Sequence, residues 1–275
     1  MSTKKIAIQG ILGSFHHQVA QDYYGENVAV EECMSFEDLV DSILRETSSQ
    51  GVMAIENSIA GAIIPNYALI DKNNLEIIGE YYLDIHQNLM ALKGQRITDI
   101  LEIHSHPMAL LQCMEFLKKH PNIKLVEDQD TAETARRIHL NQLSGIGAIA
   151  SKTASKLYDL EILAPEIQTI NNNNTRFVII SKHKNEADKS HINKASLKFE
   201  LDHKRGSLAA ILNVMSDCKL NLTKIQSLPK IESPWKYSFF VDVTFEDYKD
   251  FEKAKSIIEI MAEYFKVLGE FEKKI

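Results

Sequence analysis

Two polar segments that follow or precede apolar strands carry the residues best suited to chemistry. Glu56-Asn57-Ser58 comes directly after the apolar run Val52–Ile55, which puts a carboxylate, an amide and a hydroxyl at the carboxyl end of one strand. The amide-rich turn 171–174 leads through Thr175 and Arg176 into another strand. An arginine guanidinium matches a carboxylate with two parallel hydrogen bonds, so this second segment is suited to a carboxylate ligand. Both segments also have a purely structural interpretation. Asn57 and Ser58 could form hydrogen bonds only with the backbone of their loop, and Arg176 could form only a surface ion pair.

Three serines stand where a strand ends and a helix is predicted to begin: Ser14, Ser105 and Ser151. Serine is a strongly preferred N-cap residue, so each is predicted to cap its helix. In an open parallel sheet such helix N-termini gather at the carboxyl edge of the strands, where unpaired N–H groups and the helix dipole attract anions. The sequence therefore predicts a crevice that binds a small anion, although any α/β protein caps its helices in this way.

Two other motifs give weaker indications. Gly10-x-x-Gly13, followed about 20 residues later by Glu31-Glu32, resembles a dinucleotide fingerprint, but the third glycine is absent and Phe15 stands where a pyrophosphate would approach. His104 and His106 have a spacing compatible with a metal pair, yet no carboxylate or cysteine cluster accompanies them. A nicotinamide site and a metal site are both disfavoured.

The elements that must position these residues follow an α/β pattern up to about residue 180. Short apolar runs such as Lys5–Ile8 alternate with helical periodicity at Phe15–Tyr24 and Phe36–Arg45, which is typical of buried parallel strands covered by helices. The long extended stretch 75–92 interrupts this alternation. We interpret its part near 77–92 as a crossover between two α/β lobes of one domain, residues 1–181, with a two-lobed, periplasmic-binding-protein-like fold.

The remainder of the chain predicts a second domain. Residues 182–194 are almost wholly polar and are predicted to form a linker. Residues 195–275 have the order β-α-β-β-α-β of a ferredoxin-like unit. The predicted elements are the strand Ala195–Leu201, the helix Ser207–Asp217, the strands Asn221–Ser227 and Trp235–Phe245, the helix Phe251–Tyr264 and the strand Lys266–Phe271.

Composition limits the possible functions. The chain has 275 residues, 31 Lys+Arg against 38 Asp+Glu and a formal net charge of −7, which fits one large or two ordinary globular domains. A net negative charge without a basic block argues against nucleic acid as a partner. No apolar stretch approaches the ~18 residues of a membrane helix. Cys33, Cys113 and Cys218 are too far apart for a disulfide framework or a metal knuckle, so we expect them in the core of a cytoplasmic protein.

Taken in order along the chain, six segments closely resemble those of one family. They are Gly10-x-x-Gly13-Ser14-Phe15, Glu56-Asn57-Ser58-Ile59-x-Gly61, Ser105-His106-Pro107-x-Ala109-x-x-Gln112-Cys113, Thr131-Ala132-Glu133, Asn174-Thr175-Arg176-Phe177 and Asn221-Leu222-Thr223-Lys224-Ile225. The sequence is similar to the prephenate dehydratase family with a C-terminal ACT regulatory domain, over almost its whole length. No helical segment precedes the first motif, so we expect the monofunctional form rather than the fusion to chorismate mutase.

The resemblance implies decarboxylation and dehydration of prephenate to phenylpyruvate, water and CO2 in phenylalanine biosynthesis, with no cofactor and no metal. Thr175 is implied as the residue closest to catalysis, its hydroxyl donating a hydrogen bond to the departing hydroxyl. Arg176 is expected to hold a substrate carboxylate, and Glu56 or a bound water to supply the proton. The residues expected to bind substrate are Asn57, Ser58, Ser14, Ser105 and Phe177. Two positions depart from the family pattern: Ile11 and His16 stand where Pro and Ser are usual.

The C-terminal domain is expected to bind L-phenylalanine as a feedback inhibitor. In ACT domains the equivalents of Gly206-Ser207-Leu208 and Asn221-Leu222 hold an amino acid, usually between two paired domains. The family's Glu-Ser-Arg-Pro motif reads Gln226-Ser227-Leu228-Pro229 here, which loses both charges. Because ACT domains usually pair their sheets, we expect a homodimer or a homotetramer.

Two other function classes stay open at this point. A two-lobed cleft with an ACT module also fits a sensor that binds an amino acid without catalysis, against which the intact Thr175-Arg176 pair argues. A nicotinamide dehydrogenase of the same pathway is the rival enzyme class, and the missing glycine argues against it. The sequence leaves open whether the related compound arogenate is also a substrate.

Overall fold

The computed structural model describes residues 5–184, 188–202, 204–230 and 236–273. The chain divides into two compact units. The first contains the residues up to Gly61 together with Tyr82–Phe177, and the second contains Ala62–Tyr81 together with the residues from Val178 onward. The segment 62–81, which lies within the predicted first domain, thus groups with the C-terminal residues.

Helices and strands alternate along most of the chain. Up to residue 91 they are β1 (Lys5–Gln9), α1 (Phe15–Tyr24), β2 (Val30–Cys33), α2 (Phe36–Leu44), β3 (Ser48–Asn57), β4 (Gly61–Ala62), α3 (Ile64–Lys72), β5 (Glu76–Asp84) and β6 (Asn88–Ala91). A short 3-10 helix, Ile97–Asp99, precedes β7 (Glu102–Ser105), α4 (Pro107–Gln112), α5 (Met114–Leu117), β8 (Lys124–Glu127), α6 (Thr131–Asn141), β9 (Ile146–Ala150), α7 (Lys152–Leu157), β10 (Glu161–Ala164) and β11 (Asn174–Ser181). The C-terminal elements are β12 (Lys194–Glu200), α8 (Ser207–Asp217), β13 (Asn221–Pro229), β14 (Tyr237–Thr244), α9 (Tyr248–Met261) and β15 (Tyr264–Phe271).

Two mixed sheets confirm the predicted two-lobed α/β architecture. The first has the strand order β2-β1-β3-β11-β5, with β4 paired to β3, and the second has the order β10-β6-β9-β7-β8. β1 is parallel to both of its neighbours, and so is β7. The chain passes from the first sheet to the second between β5 and β6 and returns between β10 and β11. The return is not predictable from the sequence, because residues 165–173 contain no periodic pattern.

Local sequence explains where the helices begin. In α2 the Ser35 side chain accepts a hydrogen bond from Asp38 N at 3.0 Å, and the Asp38 carboxylate accepts one from Ser35 N at 3.2 Å. This reciprocal capping box satisfies two backbone donors that the helix itself leaves free. The apolar residues Leu39, Val40 and Ile43 recur at helical spacing and are buried.

The C-terminal sheet has the order β13-β14-β12-β15, which with its two helices is the predicted ferredoxin-like topology. β12 begins at Lys194, one residue before the predicted domain boundary. The predicted bounds of the last helix, 251–264, are wrong: α9 begins at Tyr248, because the Asp247 side chain accepts a hydrogen bond from Lys249 N at 2.9 Å and caps the helix. Trp235, predicted as the first residue of the third strand, lies outside the described residues.

The three cysteines are free and buried, as expected for core residues. Burial raises the pKa of the Cys33 thiol to about 11 and that of the Cys113 thiol to about 12. Both therefore stay protonated near neutral pH, which makes them poor nucleophiles. In the described ranges, no helix is both long and apolar enough to cross a bilayer.

Gly269 packs closely against the backbone of Ile77. A Cβ atom added to Gly269 would lie 2.0 Å from the carbonyl oxygen of Ile77, which is backbone and cannot rotate away. We expect Gly269→Ala to lower the free energy of unfolding by at least about 3 kcal/mol, measured by urea denaturation. Gly94→Ala is the control: it has open space around it at φ +84, so it should cost only about 1–2 kcal/mol of backbone strain. Equal losses for the two variants would contradict the packing argument.

Candidate active site

A cavity of about 270 Å³ lies in the first unit and is lined by residues from both of its sheets. The first sheet contributes the end of β1, the end of β3, the start of β11 and the first turn of α1. The second sheet contributes α4 and the loop from β8 into α6, and the crossover after β5 completes the lining. Among the predicted site residues, Ser14, Asn57, Thr175 and Phe177 line this cavity.

Two long helices begin at the cavity. Ser14 caps α1 as predicted, its hydroxyl oxygen accepting a hydrogen bond from His17 N at 3.2 Å. Asp130 caps α6, with Oδ1 accepting from Ala132 N at 2.8 Å and from Glu133 N at 2.9 Å. Phe15, His16 and Thr131, from the first turns of these helices, also line the cavity. No lysine or arginine is found among the described lining residues, and the N-termini of α1 and α6 place the positive ends of two helix dipoles at the cavity.

The prediction that Ser105 caps α4 is wrong. Ser105 is the last residue of β7 and is fully buried, and its hydroxyl donates to Ile149 O on the neighbouring strand β9 at 2.7 Å. His106 occupies the N-cap instead, with Nδ1 accepting from Met108 N at 3.2 Å. Ser105 therefore ties two strands together and does not line the cavity, whereas His106 does.

Ser151 caps α7 as predicted, but away from the cavity. Its hydroxyl accepts from Ala154 N at 3.0 Å and donates to Gly13 O at 2.6 Å. A Cβ atom on Gly13, which has φ +89, would lie 3.1 Å from Ala154 Cα, so glycine is needed for this close approach. Glu32, the acidic residue of the dinucleotide-like pattern, accepts a hydrogen bond from Leu12 N at 2.7 Å. Two backbone groups of the Gly-x-x-Gly loop, Leu12 N and Gly13 O, therefore already form hydrogen bonds with side chains of the protein.

Thr175 is the most precisely held hydroxyl in the cavity. Asn57 Nδ2 donates to Thr175 Oγ1 at 2.9 Å and to Asn173 Oδ1 at 2.7 Å. Asn57 Oδ1 accepts from Ile59 N at 2.9 Å and from Ala60 N at 2.8 Å, which fixes the orientation of the amide. Since Thr175 Oγ1 accepts from Asn57, its own proton remains available to donate into the cavity.

The other predicted residues on these segments point elsewhere. Side chains alternate along a strand, so Arg176 faces away from the side of β11 that carries Thr175 and Phe177. Arg176 is buried but does not line the cavity, and Glu56 does not line it either. Ser58 is exposed and fixes the local chain, accepting from Asn174 N at 2.9 Å. The predicted roles of Arg176 and Glu56 in direct contact with substrate have no support in this geometry.

His16 is a buried, neutral imidazole in the cavity wall. Its ring packs edge-on against Phe177, with the ring centroids 5.0 Å apart, and its Nε2 accepts from Ala54 N at 3.4 Å. Burial lowers the pKa of His16 from 6.5 to about 3, because the charged ring would lose its hydration. The ring is therefore uncharged throughout the physiological range.

This low pKa predicts a pH-dependent loss of stability. The unfolded chain binds a proton at His16 below pH 6.5, but the folded protein does so only near pH 3, so acidification through that window favours unfolding. At pH 5 the cost is about 2 kcal/mol, at 1.36 kcal/mol for each pH unit. We expect His16→Gln to lose less stability than the parent between pH 7 and 5 in urea titrations. The exposed His191→Gln should keep the parent's slope, and identical slopes for all three proteins would refute the assignment.

Several lining residues were missed by sequence reasoning. Asp130 had a usable signal, since Asp-Thr-Ala-Glu at 130–133 has the spacing of a helix start with an N-cap and an acidic third residue. Gln112 stands in a matched segment but was given no role. Its Oε1 accepts from Gln87 Nε2 at 3.2 Å, and both residues line the cavity. In the described part of the chain, no group of three or more His, Cys, Asp or Glu side chains is arranged to hold a metal.

The predicted effector residues lie in the second unit and fall into two places. Ser207 and Leu208 line a cavity of about 230 Å³ together with Leu201, Asp202, Lys204, Lys236, Tyr237 and Phe239. Gly206 stands at the N-cap of α8 with φ +86, and no described residue comes within 4 Å of the position that a Cβ atom would take there. Asn221 lines a different cavity, and Leu222 packs on the apolar core of this unit.

Sequence comparisons identify relatives over most of the chain. Residues 6–185 match the family model described as prephenate dehydratase. The prephenate dehydratase of Methanocaldococcus jannaschii is 32% identical over 254 residues, which are 91% of this chain and 90% of that protein. The bifunctional chorismate mutase/prephenate dehydratase of Buchnera aphidicola subsp. Acyrthosiphon pisum is 32% identical over 237 residues. The match covers 85% of this chain and only 62% of that relative's length.

Solved structures with the same fold cover nearly the whole chain. A prephenate dehydratase from Arthrobacter aurescens in complex with L-Phe matches with a TM-score of 0.86 at 22% identity, over 98% of this chain and 90% of that one. GqqA, described as a novel type of quorum quenching acylase, matches with a TM-score of 0.89 at 23% identity, over 98% of both chains. At 22% and 23% identity, the similarity to these two structures establishes a shared fold only.

Proposed function

The chain belongs to the prephenate dehydratase family, and we propose that it converts prephenate to phenylpyruvate, water and CO2 in L-phenylalanine biosynthesis. The observation that carries the proposal is Thr175, whose hydroxyl lines the cavity while Asn57 holds its oxygen. Prephenate carries two carboxylates and loses one hydroxyl. A positioned hydroxyl donor beside two helix N-termini suits such a substrate.

The proposed mechanism depends on position and electrostatics. Aromatisation of the ring drives the reaction, so the protein has to assist the departure of the hydroxyl and orient the carboxylate that leaves as CO2. Thr175 donates a hydrogen bond to the departing hydroxyl, and the first turns of α1 and α6 attract the substrate's carboxylates. The buried ring of Phe177, held edge-on by His16, packs against the substrate ring.

We also propose that L-phenylalanine binds in the cavity at the start of α8 and inhibits the enzyme. Leu201, Leu208, Tyr237 and Phe239 offer apolar contacts for an aromatic side chain. The same cavity contains Asp202, which pairs with Lys204, and Lys236, which pairs with Glu263 at 3.3 Å. An amino acid zwitterion needs one anionic and one cationic partner. Gly206 has no side chain to cap α8, and Ser207 N donates to Lys204 O at 3.3 Å. We assign the carboxylate to the N–H groups that follow Ser207 in the first turn of this helix.

We propose a homodimer or homotetramer as the assembly. The support is that Asn221 and Leu222, implied in effector binding, do not line the cavity that contains Ser207 and Leu208 in a single chain. A second copy that pairs its sheet with this one would supply them. Light scattering with and without L-phenylalanine measures the assembly, and a monomer in both conditions would contradict this part of the proposal.

The function is tested by mixing purified protein with prephenate at neutral pH and measuring phenylpyruvate by its ultraviolet absorbance in alkali. We expect product formation that L-phenylalanine lowers. Arogenate in a parallel reaction, with phenylalanine as the measured product, decides which of the two substrates is preferred. A folded protein that binds L-phenylalanine and forms no product from either compound would be a sensor, which would refute the proposed catalysis.

A further inference from the structure

We propose that the Asp130 carboxyl group is the proton donor to the departing hydroxyl, with its proton on Oδ2. The inference rests on the proposed function, because that reaction consumes one proton. Glu56, predicted from the sequence as a source of this proton together with a bound water, does not line the cavity. Among the described lining residues, Asp130 carries the only carboxyl group.

The hydrogen bonds of Asp130 determine which oxygen can carry a proton. Oδ1 accepts from Ala132 N and Glu133 N in the first turn of α6, at 2.8 and 2.9 Å, so its lone pairs are engaged. A proton on this carboxyl group therefore belongs on Oδ2. Oδ2 lies against the Gly-x-x-Gly loop, where a Cβ atom on Gly10 would be 3.2 Å from it and 3.6 Å from Ser14 Oγ. The absence of a side chain at Gly10 thus leaves room for Oδ2 beside the N-cap of α1.

The other titratable groups of the cavity are less suited to donate the proton. His16 is neutral across the physiological range, and a neutral imidazole is a very weak acid. The hydroxyl of Thr175 is too weak an acid to give up its proton without a second group to replace it. His106 remains the rival: Nδ1 accepts from Met108 N, so any proton it could donate would come from Nε2.

The surroundings of Asp130 raise its pKa above the ordinary value of an aspartate. Burial raises the pKa of this carboxyl group, and the nearby Glu133 raises it further, while the two backbone donors and His106 oppose the shift. Tyr158, whose hydroxyl donates to Leu12 O at 2.6 Å, is a neutral phenol because burial raises its pKa to about 12. A bound substrate with two negative charges would disfavour ionised Asp130 still more, since like charges in a poorly hydrated cavity repel. Substrate binding therefore raises the pKa of Asp130 further and favours the protonated carboxyl group that donates the proton.

The step balances without any other reactant. The bond between the ring and its carboxylate breaks, CO2 leaves, and the electron pair of that bond enters the ring. The bond from the ring to the hydroxyl oxygen breaks at the same time, and this oxygen takes the proton from Asp130 Oδ2 to leave as water. Asp130 remains as a carboxylate and regains its proton from solvent before the next turnover.

Asp130→Asn tests the proposal, because Asn caps helices as well as Asp and keeps an oxygen for the two N–H donors. We expect kcat to fall by about 10²–10⁴-fold, the range for loss of a general acid, with unchanged urea denaturation. In the parent, kcat should fall as rising pH ionises Asp130. The pH profile of the Asp130→Asn variant should lack this decrease at high pH. Asp247→Asn makes the same change at the cap of α9 and should leave kcat and its pH profile unchanged.

The outcomes are distinguishable. An inactive parent protein would refute the proposed function itself. An active parent with Asp130→Asn within about threefold of its kcat would overturn the role of Asp130 alone. If His106→Gln abolishes the high-pH limb while Asp130→Asn keeps it, His106 is the acid and the inference is wrong.

Discussion

Replacing Thr175 with alanine is expected to lower kcat for prephenate dehydration by about 10²–10³-fold, equivalent to about 3–4 kcal/mol of transition-state stabilisation. The reason is geometric. Asn57 donates to Thr175 Oγ1 at 2.9 Å and is itself fixed by Ile59 N and Ala60 N, so the threonine oxygen is held in place and its proton is available to donate before substrate arrives. A preoriented donor needs no reorganisation during the reaction. The effect should appear in kcat more than in KM.

Two further variants separate the hydroxyl from the shape of the side chain. Thr175→Ser keeps an oxygen within reach of Asn57 and should retain most of the activity. Thr175→Val keeps the β-branched shape that suits strand β11 and loses the donor, so it should match the alanine variant. Phenylpyruvate formation and urea denaturation are measured for all of them. A valine variant that is stable and nearly as active as the parent would remove Thr175 from the mechanism.

Removing one partner of the buried Glu80–Lys194 ion pair is expected to lower the free energy of unfolding by about 3–5 kcal/mol. Lys194 Nζ donates to both carboxylate oxygens of Glu80, at 2.9 and 2.7 Å, and the side chains of Lys194 and Glu80 are 2% and 0% exposed. Glu80→Ala or Lys194→Met leaves one charge in the interior without its main counterpart. The cost is the lost hydration of that charge, which the remaining contacts replace only in part.

The double variant Glu80→Leu/Lys194→Met should recover a large part of the loss, because two apolar side chains leave no buried charge. Urea denaturation of the parent, the single variants and the double variant gives the coupling directly. Lys189–Glu252, with side chains 64% and 51% exposed, is the control pair. Its disruption should produce no measurable change. Single variants at Glu80 and Lys194 that unfold like the parent would contradict the prediction.

Strand periodicity explains one difference between the predicted and observed site. The sequence marked Thr175, Arg176 and Phe177 together, but neighbouring residues of a strand point to opposite sides of the sheet. Once Thr175 is assigned to the cavity, Phe177 has to share its side and Arg176 has to face away. In the structure Thr175 and Phe177 line the cavity and Arg176 does not. The period of two was sufficient to predict this outcome.

Helix caps show a second limit of sequence reasoning. Ser14 and Ser151 were correctly predicted as caps, because serine suits that position in any helix. The predicted cap at Ser105 was wrong by one residue, since a hydroxyl that ends a buried strand can also bond to the neighbouring strand, here at Ile149 O. Which partner it takes depends on a residue far away in the chain.

The sequence by itself determined the alternation of strands and helices up to about residue 180, the ferredoxin-like unit and the family, because periodicity, caps and ordered motifs are local properties. It also predicted that Ser14, Asn57 and Thr175 belong to one site. Only the tertiary structure decided which helix N-termini meet at the cavity, that Asp130 lies against Gly10, and that Lys194 pairs with Glu80 across 114 residues. These contacts depend on how distant segments pack, and no local pattern encodes such a pairing.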